Sequence, residues 1–541
     1  MVLYIHYLLK NKQGERGYVP LRVTMVQLDV LEFLRLNKFE KLLYKIKLWF
    51  CSIPNAILNF FKKIWAALVR FGLFIANQCV DIGRTFKNGN WAVKLSFLIM
   101  GVGNFAYGQI LRGSLFLLFE IVFILYMVFV GAHWLSMFDN LGDKSLQTIW
   151  VEETDPWGDV TLVEKTIAGD DSFKILLYGL LSILFILAFI YTWRLQIKQC
   201  RICMEITASG KKVKSGKDDL KSILDDQFHK TLLALPVTGI ALFTVLPIIF
   251  MILVGFTNFD AKHDGYSNLF TWVGLENFNE MLNFGDSGMG LAFGEVLAWT
   301  LIWAVFATFT NYFLGMFVAI MINKKGIKIK KFWRTVLVLT IAIPQFVSLI
   351  YVRHMFDYNG LINNIIVALG GTRFKFWDHT TWARALVIII NIWIGIPYIM
   401  LMATGILMNI PQDLYESAKI DGANVWQQYT RITLPYMMFV LGPHLLTNFV
   451  GNLNNFNVIY LLSAGNPPKM NSNGSGVVIA GGATVGDTDI LITWLFNMAL
   501  GSETNYKMAS VVGVCIFAVV AVLSLIVYNV MPSTRNEEDF R

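Results

Sequence analysis

Eight stretches of this chain are each apolar for long enough to cross the hydrocarbon of a bilayer as a helix, which takes about 20 residues. They fall at roughly 115–136, 173–193, 232–256, 296–322, 335–355, 383–408, 436–462 and 508–531. Backbone in lipid has no water to satisfy its N–H and C=O groups, so such stretches fold as helices. The expected fold class is therefore an all-α polytopic membrane bundle, with a six-helix core in its C-terminal half. Composition agrees, with 55% of residues hydrophobic, 15% charged and a mean hydropathy of +0.55. An ordinary soluble domain has about a quarter of its residues charged. Residues 95–111 are also apolar, but Gly101, Gly103, Asn104 and Gln109 interrupt them. That piece is expected to be interfacial or re-entrant, with a ninth span as the alternative.

The loops alternate in charge. The loop after the first span carries Asp139, Asp143, Asp155, Asp159, Glu152, Glu153, Glu164, Asp170 and Asp171, whereas the next carries Arg194, Lys198, Arg201, Lys211, Lys212, Lys214 and Lys217. After the fourth span comes a basic run that includes Lys324, Lys325, Lys328, Lys331 and Arg334. Positive loops stay on the cytoplasmic side, so this alternation places both termini inside. Residues 1–90 hold 14 Lys and Arg against 5 Asp and Glu. Because Phe60, Phe61, Trp65, Leu68 and Phe71 interleave with this charge at helical spacing, it suits an anionic lipid surface and not a nucleic acid. Three regions follow: a basic amphipathic segment at 1–94, a two-span region at 95–230 and a six-span core at 231–535.

Several chemistries find no support. The five cysteines, Cys51, Cys79, Cys200, Cys203 and Cys515, suggest no disulfide framework, and the single C-x-x-C lacks a second pair to complete a zinc site. No cleavable signal peptide is expected. Neither Gly210-Lys211 nor Gly216-Lys217 belongs to a phosphate-binding G-x-x-x-x-G-K-[ST] loop, so no nucleotide, cofactor or metal site is expected in this chain. No paired catalytic residues point to an enzyme. Arg353, His354 and Arg384 are expected to be interfacial anchors.

Two patterns point to a function. Between the sixth and seventh spans, on the cytoplasmic side, runs Glu416-Ser417-Ala418-Lys419-Ile420-Asp421-Gly422, followed by Ile432-Thr433-Leu434-Pro435. Pro411 and Asp413 can open a short helix, Gly422 permits a sharp turn, and Pro435 suits the start of the next span. A helix–Gly–helix lying along the membrane is a suitable knob for a partner's groove. In the seventh span, Asn448, Asn452 and Asn455 share one helical face. Amides both donate and accept, so that face suits a neutral polyol, or else bonds one helix to another.

With E-x-A-x-x-x-G-x9-I-x-L-P in place, the chain resembles the permeases of ATP-binding-cassette carbohydrate importers, specifically the MalF-type subunit of maltose/maltodextrin transporters. Trp393-Ile394-Gly395-Ile396-Pro397-Tyr398, the run Asn448 to Phe456 and Asp487 to Trp494 resemble further segments of that family, over about residues 230–535. The resemblance implies that Glu416, Ala418, Asp421, Gly422, Ile432, Leu434 and Pro435 couple to a separate ATPase dimer, which would hold ATP-Mg. It implies that Ile394, Gly395, Tyr398, Asn448, Gly451, Asn452 and Asn455 line a sugar site. A second, MalG-type permease and an extracytoplasmic solute-binding lipoprotein are the remaining implied partners. No extracytoplasmic loop exceeds about 45 residues, unlike the enterobacterial form with its large periplasmic domain, so a Gram-positive plasma membrane is expected. The expected cargo is a maltodextrin-like oligosaccharide. A raffinose- or galactan-type sugar, and an ion-coupled carrier acting alone, are the alternatives.

Overall fold

The computed structural model describes residues 62, 65–154, 160–213, 221, 225, 228–285, 288–324, 329–471, 476–501 and 503–530. Most of the 1–94 segment, including Phe60 and Phe61, lies outside these, as do Cys51, Asp155, Asp159, Lys214, Lys217, Lys325, Lys328 and residues 531–535. The chain packs as two units, residues 1–107 with 194–213, and residues 108–193 with 214–541.

In the first unit, helix α1 (Trp65–Asn88) is 24 residues long and apolar enough to cross a membrane, where the sequence suggested only a surface segment. Residues 95–111 do not form one continuous helix. Short helices α2 (Trp91–Leu95) and α3 (Val102–Ala106) flank a turn, because Gly101 takes φ +89°, a conformation that breaks a helix. Helix α5 (Ser172–Ala208) contributes its last turns to this unit. There Arg201 pairs with Asp81 at 3.2 Å, and Arg194 donates to Gln78 Oε1 at 3.1 Å. Buried Cys200 sits against Ser96 and Asn104, and a β-carbon on Gly103 would lie 2.6 Å from its sulfur.

The second unit opens with α4 (Ile110–Ser136) and the antiparallel strands β1 (Gln147–Thr154) and β2 (Val160–Ile167). Phe123 stacks on Phe189 of α5 at 4.0 Å, and the Tyr126 and Ser182 hydroxyls bond at 3.0 Å. Then follow α6 (Leu232–Val254), α7 (Met289–Asn323), α8 (Lys330–Ala342), α9 (Gln345–Met355), α10 (Thr380–Leu407), α11 (Gln412–Ile420), α12 (Val425–Gln428), α13 (Leu434–Leu453), α14 (Phe456–Leu462), α15 (Leu491–Leu500) and α16 (Tyr506–Val530). Among the described residues, seven helices are long and apolar enough to span, or eight if α8 and α9 count as one.

Two of the expected spans are broken. The 335–355 segment bends by 90° between α8 and α9. Pro344 lacks an N–H and disfavours helical geometry in the residue before it, and Ile343 duly takes ψ 127°. The 436–462 segment stops at Leu453, turns at Asn454 and Asn455, and resumes as α14.

Helix α7 is the spine of the core. At 35 residues it is about 52 Å long, and its buried side chains enter three apolar clusters in turn. Met289, Ala292 and Val296 meet α15 and α16; Trp299, Trp303 and Ala307 meet α9, α10 and α14; Tyr312, Met316 and Ala319 meet α10 and α13. Close approach to α10 depends on small residues, as is common between membrane helices. A β-carbon on Gly315 would lie 2.6 Å from that of Ile399.

The segment 486–491 latches this bundle at one end. Trp299 Nε1 donates to Thr488 O at 3.2 Å, Leu491 N to Thr300 Oγ1 at 3.1 Å, and Arg384 Nε to Asp487 O at 2.8 Å. The Arg384 guanidinium also lies 4.4 Å over the Trp299 ring. Arg384 is thus a clamp between α10, α7 and the latch, where sequence suggested a surface anchor. Asp489 is buried, accepting from Gly486 N at 2.9 Å and from the Thr493 hydroxyl at 2.8 Å. Burial pushes its carboxyl up to about 6, against those two bonds. A carboxyl whose folded value is raised favours folding while protonated, and that contribution is lost as pH rises through the folded value. The thermal midpoint of the purified protein is therefore expected to fall between about pH 5 and 7, and Asp489→Asn to remove that slope; an unchanged slope in the variant would show that another group carries it.

Candidate functional site

A cavity of about 580 Å³ opens where α7, α10 and α13 meet the α8–α9 break. Broken helices in a membrane are tolerated where they line a cavity, because the freed backbone groups can be satisfied there. Here Thr340, Ile341, Ile343, Pro344, Gln345 and Ser348 of the break form one wall. Among the described residues lining the cavity, none is Asp, Glu, Lys or Arg; the polar ones are amides, hydroxyls and one imidazole. A site of this kind can hydrogen-bond an uncharged polyhydroxyl compound without having to neutralise a charge.

Of the residues expected at a sugar site, Ile394, Gly395, Tyr398, Asn448 and Asn452 line this cavity. Gly451 and Asn455 are not in its lining. Asn455 instead caps α14, accepting from Val458 N at 3.4 Å, and its Nδ2 donates to Asn452 Oδ1 at 3.2 Å. Gly451 is exposed, with nothing within 4 Å of where its β-carbon would be. Asn452 is largely committed to the protein: its Nδ2 donates to Thr308 Oγ1 at 3.0 Å, and its backbone carbonyl accepts from Trp303 Nε1 at 3.0 Å. The space beside Gly395 is filled by Asn311 of α7, since an added β-carbon would lie 2.3 Å from that amide nitrogen.

Seven polar lining residues went unnoticed in the sequence: the hydroxyls Thr308, Thr340 and Ser348, and Asn311, Gln345, Asn391 and His444. Asn311 Oδ1 and Asn391 Nδ2 are buried and have no hydrogen-bond partner among the described residues. His444 Nε2 lies 2.9 Å from Asn448 Nδ2, and its ring centroid lies 6.2 Å from that of Tyr398. Most are single polar residues in apolar runs, the kind of signal that periodicity does not register; that His444 lies one turn before Asn448 was the available hint.

The second part of the site is the loop between α10 and α13. Helix α11 ends in a Schellman turn: Gly422 N donates to Lys419 O at 3.0 Å, and Ala423 N to Ala418 O at 2.8 Å. Gly422 takes φ +76°, which a side chain would strain. Helix α12 then starts on an Asn424–Gln427 capping box, continues through a π turn (Tyr429–Thr433) and runs into α13. The Tyr415 hydroxyl bonds Thr433 Oγ1 at 2.8 Å, which ties the two arms together. Neither α11 nor α12 buries a residue, and Ile420, Val425 and Trp426 are 86%, 83% and 70% exposed. Of the residues expected to couple here, Glu416, Asp421, Gly422 and Pro435 are exposed, whereas Ala418, Ile432 and Leu434 are half-buried. Apolar side chains clustered on an otherwise polar, rigid knob mark a contact surface.

Residues 311–535 match the family of binding-protein-dependent transport system inner membrane components. The maltodextrin transport system permease protein MalC of Streptococcus pneumoniae serotype 4 is 32% identical over 442 residues, covering 80% of this chain and 94% of that protein. The chain belongs to this permease family. Another permease relative is the galactooligosaccharides transport system protein GanP of Bacillus subtilis, 30% identical over 443 residues and covering 81% of this chain and 97% of GanP. The maltose/maltodextrin permease MalF of Klebsiella aerogenes is 31% identical over 257 residues, covering 47% of this chain and 48% of MalF. The family match takes in the cavity walls of α8–α10 and α13 and the whole α11–α12 knob.

The Schellman turn generates a direct test on the permease. Gly422→Ala places a β-carbon in the left-handed region at about 1–2 kcal/mol. Amide hydrogen exchange over residues 417–424 is expected to quicken by at least about fivefold, while α7 and α10 are unchanged. Unaltered exchange would mean that the turn is not held in this conformation.

Proposed function

We propose that this permease is one of two membrane subunits of an ATP-driven, binding-protein-dependent importer of maltodextrin-like oligosaccharides. An extracytoplasmic binding protein delivers the sugar to the side away from the α11–α12 knob, and a dimer of ATPase subunits, holding ATP-Mg, docks on that knob. One knob serves one ATPase, so a second, homologous permease completes the complex. The chain sits in a Gram-positive plasma membrane with both termini cytoplasmic, and it hydrolyses nothing itself.

The observation that carries this reading is the direct covalent path between knob and cavity. Tyr398 and His444 line the cavity, and the knob lies between their helices, α10 and α13. From Tyr398 to the end of α10 at Leu407 is about 14 Å of helix, and from Leu434 to His444 about 15 Å. Movement of the ATPases against α11 and α12 therefore acts on two of the helices that line the cavity, and alternates access to it between the two sides. The uncharged lining supports a neutral saccharide as cargo. Glucans and galactans share that chemistry, and competition for the binding protein distinguishes them.

The test is reconstitution of the permease with its co-expressed ATPase, second permease and binding protein in vesicles. Maltotriose with binding protein is expected to stimulate ATP hydrolysis and uptake, and Trp426→Asp to reduce ATPase co-purification at least tenfold by burying a charge in the docking contact. Uptake that proceeds on a proton gradient without ATP, and survives Trp426→Asp, would instead make the chain a secondary carrier.

A further inference from the structure

His444 and Asn448 lie one turn apart on α13 and both line the cavity, with Nε2 and Nδ2 2.9 Å apart. An amide nitrogen carries hydrogens and offers no lone pair, so in this contact it donates. The ring nitrogen must accept, which places the ring's own hydrogen on Nδ1 and requires a neutral imidazole. The Asn448 carbonyl oxygen is then the atom turned away from the ring and left for the cavity. An imidazolium has no acceptor nitrogen, so it admits only the reversed amide, with Oδ1 toward the ring and the NH₂ group toward the cavity.

We propose that His444 is a positioning residue for saccharide recognition: the neutral ring holds the Asn448 amide so that its carbonyl oxygen accepts from a sugar hydroxyl, and protonation reverses the amide and weakens that contact. This rests on the oligosaccharide reading above. A hydroxyl has one hydrogen, and in a cavity emptied of water it must place it on an acceptor. With the amide reversed, that hydrogen meets another donor while a positive charge appears next to a neutral ligand.

The groups facing the pair are uncharged. Helix α7 contributes Thr308 and Asn311, α10 contributes the Tyr398 phenol, and the α8–α9 break contributes Gln345 and Ser348. Helix α16 also packs on α13; its charged residue, Lys507, is at its first turn and pairs with Asp260 at 2.9 Å. The π turn before α13 carries Tyr429 and Arg431, and Arg431 lies about 20 Å of helix from His444. Among the described residues no carboxylate lines the cavity to hold a proton on the ring, so solution pH and the bound ligand set its state.

The test uses the assembled importer in vesicles, with maltotriose uptake measured from pH 8 to about 5.5 and KM separated from kcat. Sugar-independent ATP hydrolysis and the binding protein's own affinity, measured at each pH, remove contributions from the partner proteins. Acidification is expected to raise KM roughly tenfold, the size of one unmet buried hydrogen bond, with a smaller change in kcat. His444→Gln should hold KM flat across the range, because its amide does not titrate, and His444→Lys, a permanent donor, should hold it high. Asn448→Asp keeps an acceptor oxygen toward the cavity whether or not the ring is protonated, so its KM should not rise on acidification. Asp489 is present in all these variants, so its titration cancels. A flat wild-type profile, or the wild-type profile retained in His444→Gln, would overturn the proposal. Sugar-independent ATP hydrolysis without maltotriose uptake at any pH would overturn the cargo reading first, and the proposal with it.

Discussion

The close crossing of α7 and α10 is the contact on which the rest of this permease depends. Lipid offers no hydrophobic gain for pressing two apolar helices together, so their association relies on packing distance and on polar groups that find partners. Gly315 lets the α7 backbone meet Ile399, and one turn earlier Gly395 lets Asn311 of α7 reach α10. The first contact is apolar and continuous with the Met316, Met400 and Met437 cluster; the second brings amides to the edge of an open space. Packing and cavity are thus two consequences of the same approach. A side chain at either glycine would separate the helices and change both.

Much of this was legible in the sequence, and the failures have a common cause. Hydropathy found the apolar segments because lipid demands long uninterrupted runs, and loop charge ordered them. Averaging over about 20 residues is blind to a break that keeps the same residues apolar. The bend at Pro344 leaves Ile341, Ile343 and Phe346 as hydrophobic as a straight span would need, so only the proline itself signalled it. Helix α1 meets the length and apolar content of a span, while the basic residues interleaved along its segment gave the reading of a cytoplasmic or interfacial piece. Asn448 and Asn452 were visible as a repeat along one face. Asn391 on α10 and Asn311 on α7 meet across two helices, and no one-dimensional spacing records that meeting.

The α11–α12 knob was the most legible feature for a physical reason. Its conformation is local: a Schellman turn at Gly422, a capping box at Asn424 and a tyrosine–threonine bond between its arms. Each uses residues close in sequence, so a short pattern specifies it without help from the rest of the fold. The same locality suits a lever, which must keep its shape while a partner pushes on it. Under the proposed function, rigidity at the knob and the helices α10 and α13 on either side of it would pass an ATPase's displacement on to the cavity instead of absorbing it.

At the cavity end the chemistry is deliberately weak. Buried ions would bind a charged ligand strongly but would have to be desolvated at every opening and closing, at several kcal/mol each. Amides and hydroxyls avoid that penalty and still impose direction, because each hydrogen bond has a donor side and an acceptor side. Much of the amide capacity here is already committed within the protein. Asn452 is held by Thr308 and Asn455, and Asn455 in turn caps α14. Among the described residues, Asn448 has a single hydrogen-bond partner, the His444 ring one turn below it. Of the two asparagines of α13 that line the cavity, it is therefore the one whose carbonyl can turn toward a ligand without loosening the helix crossings around it.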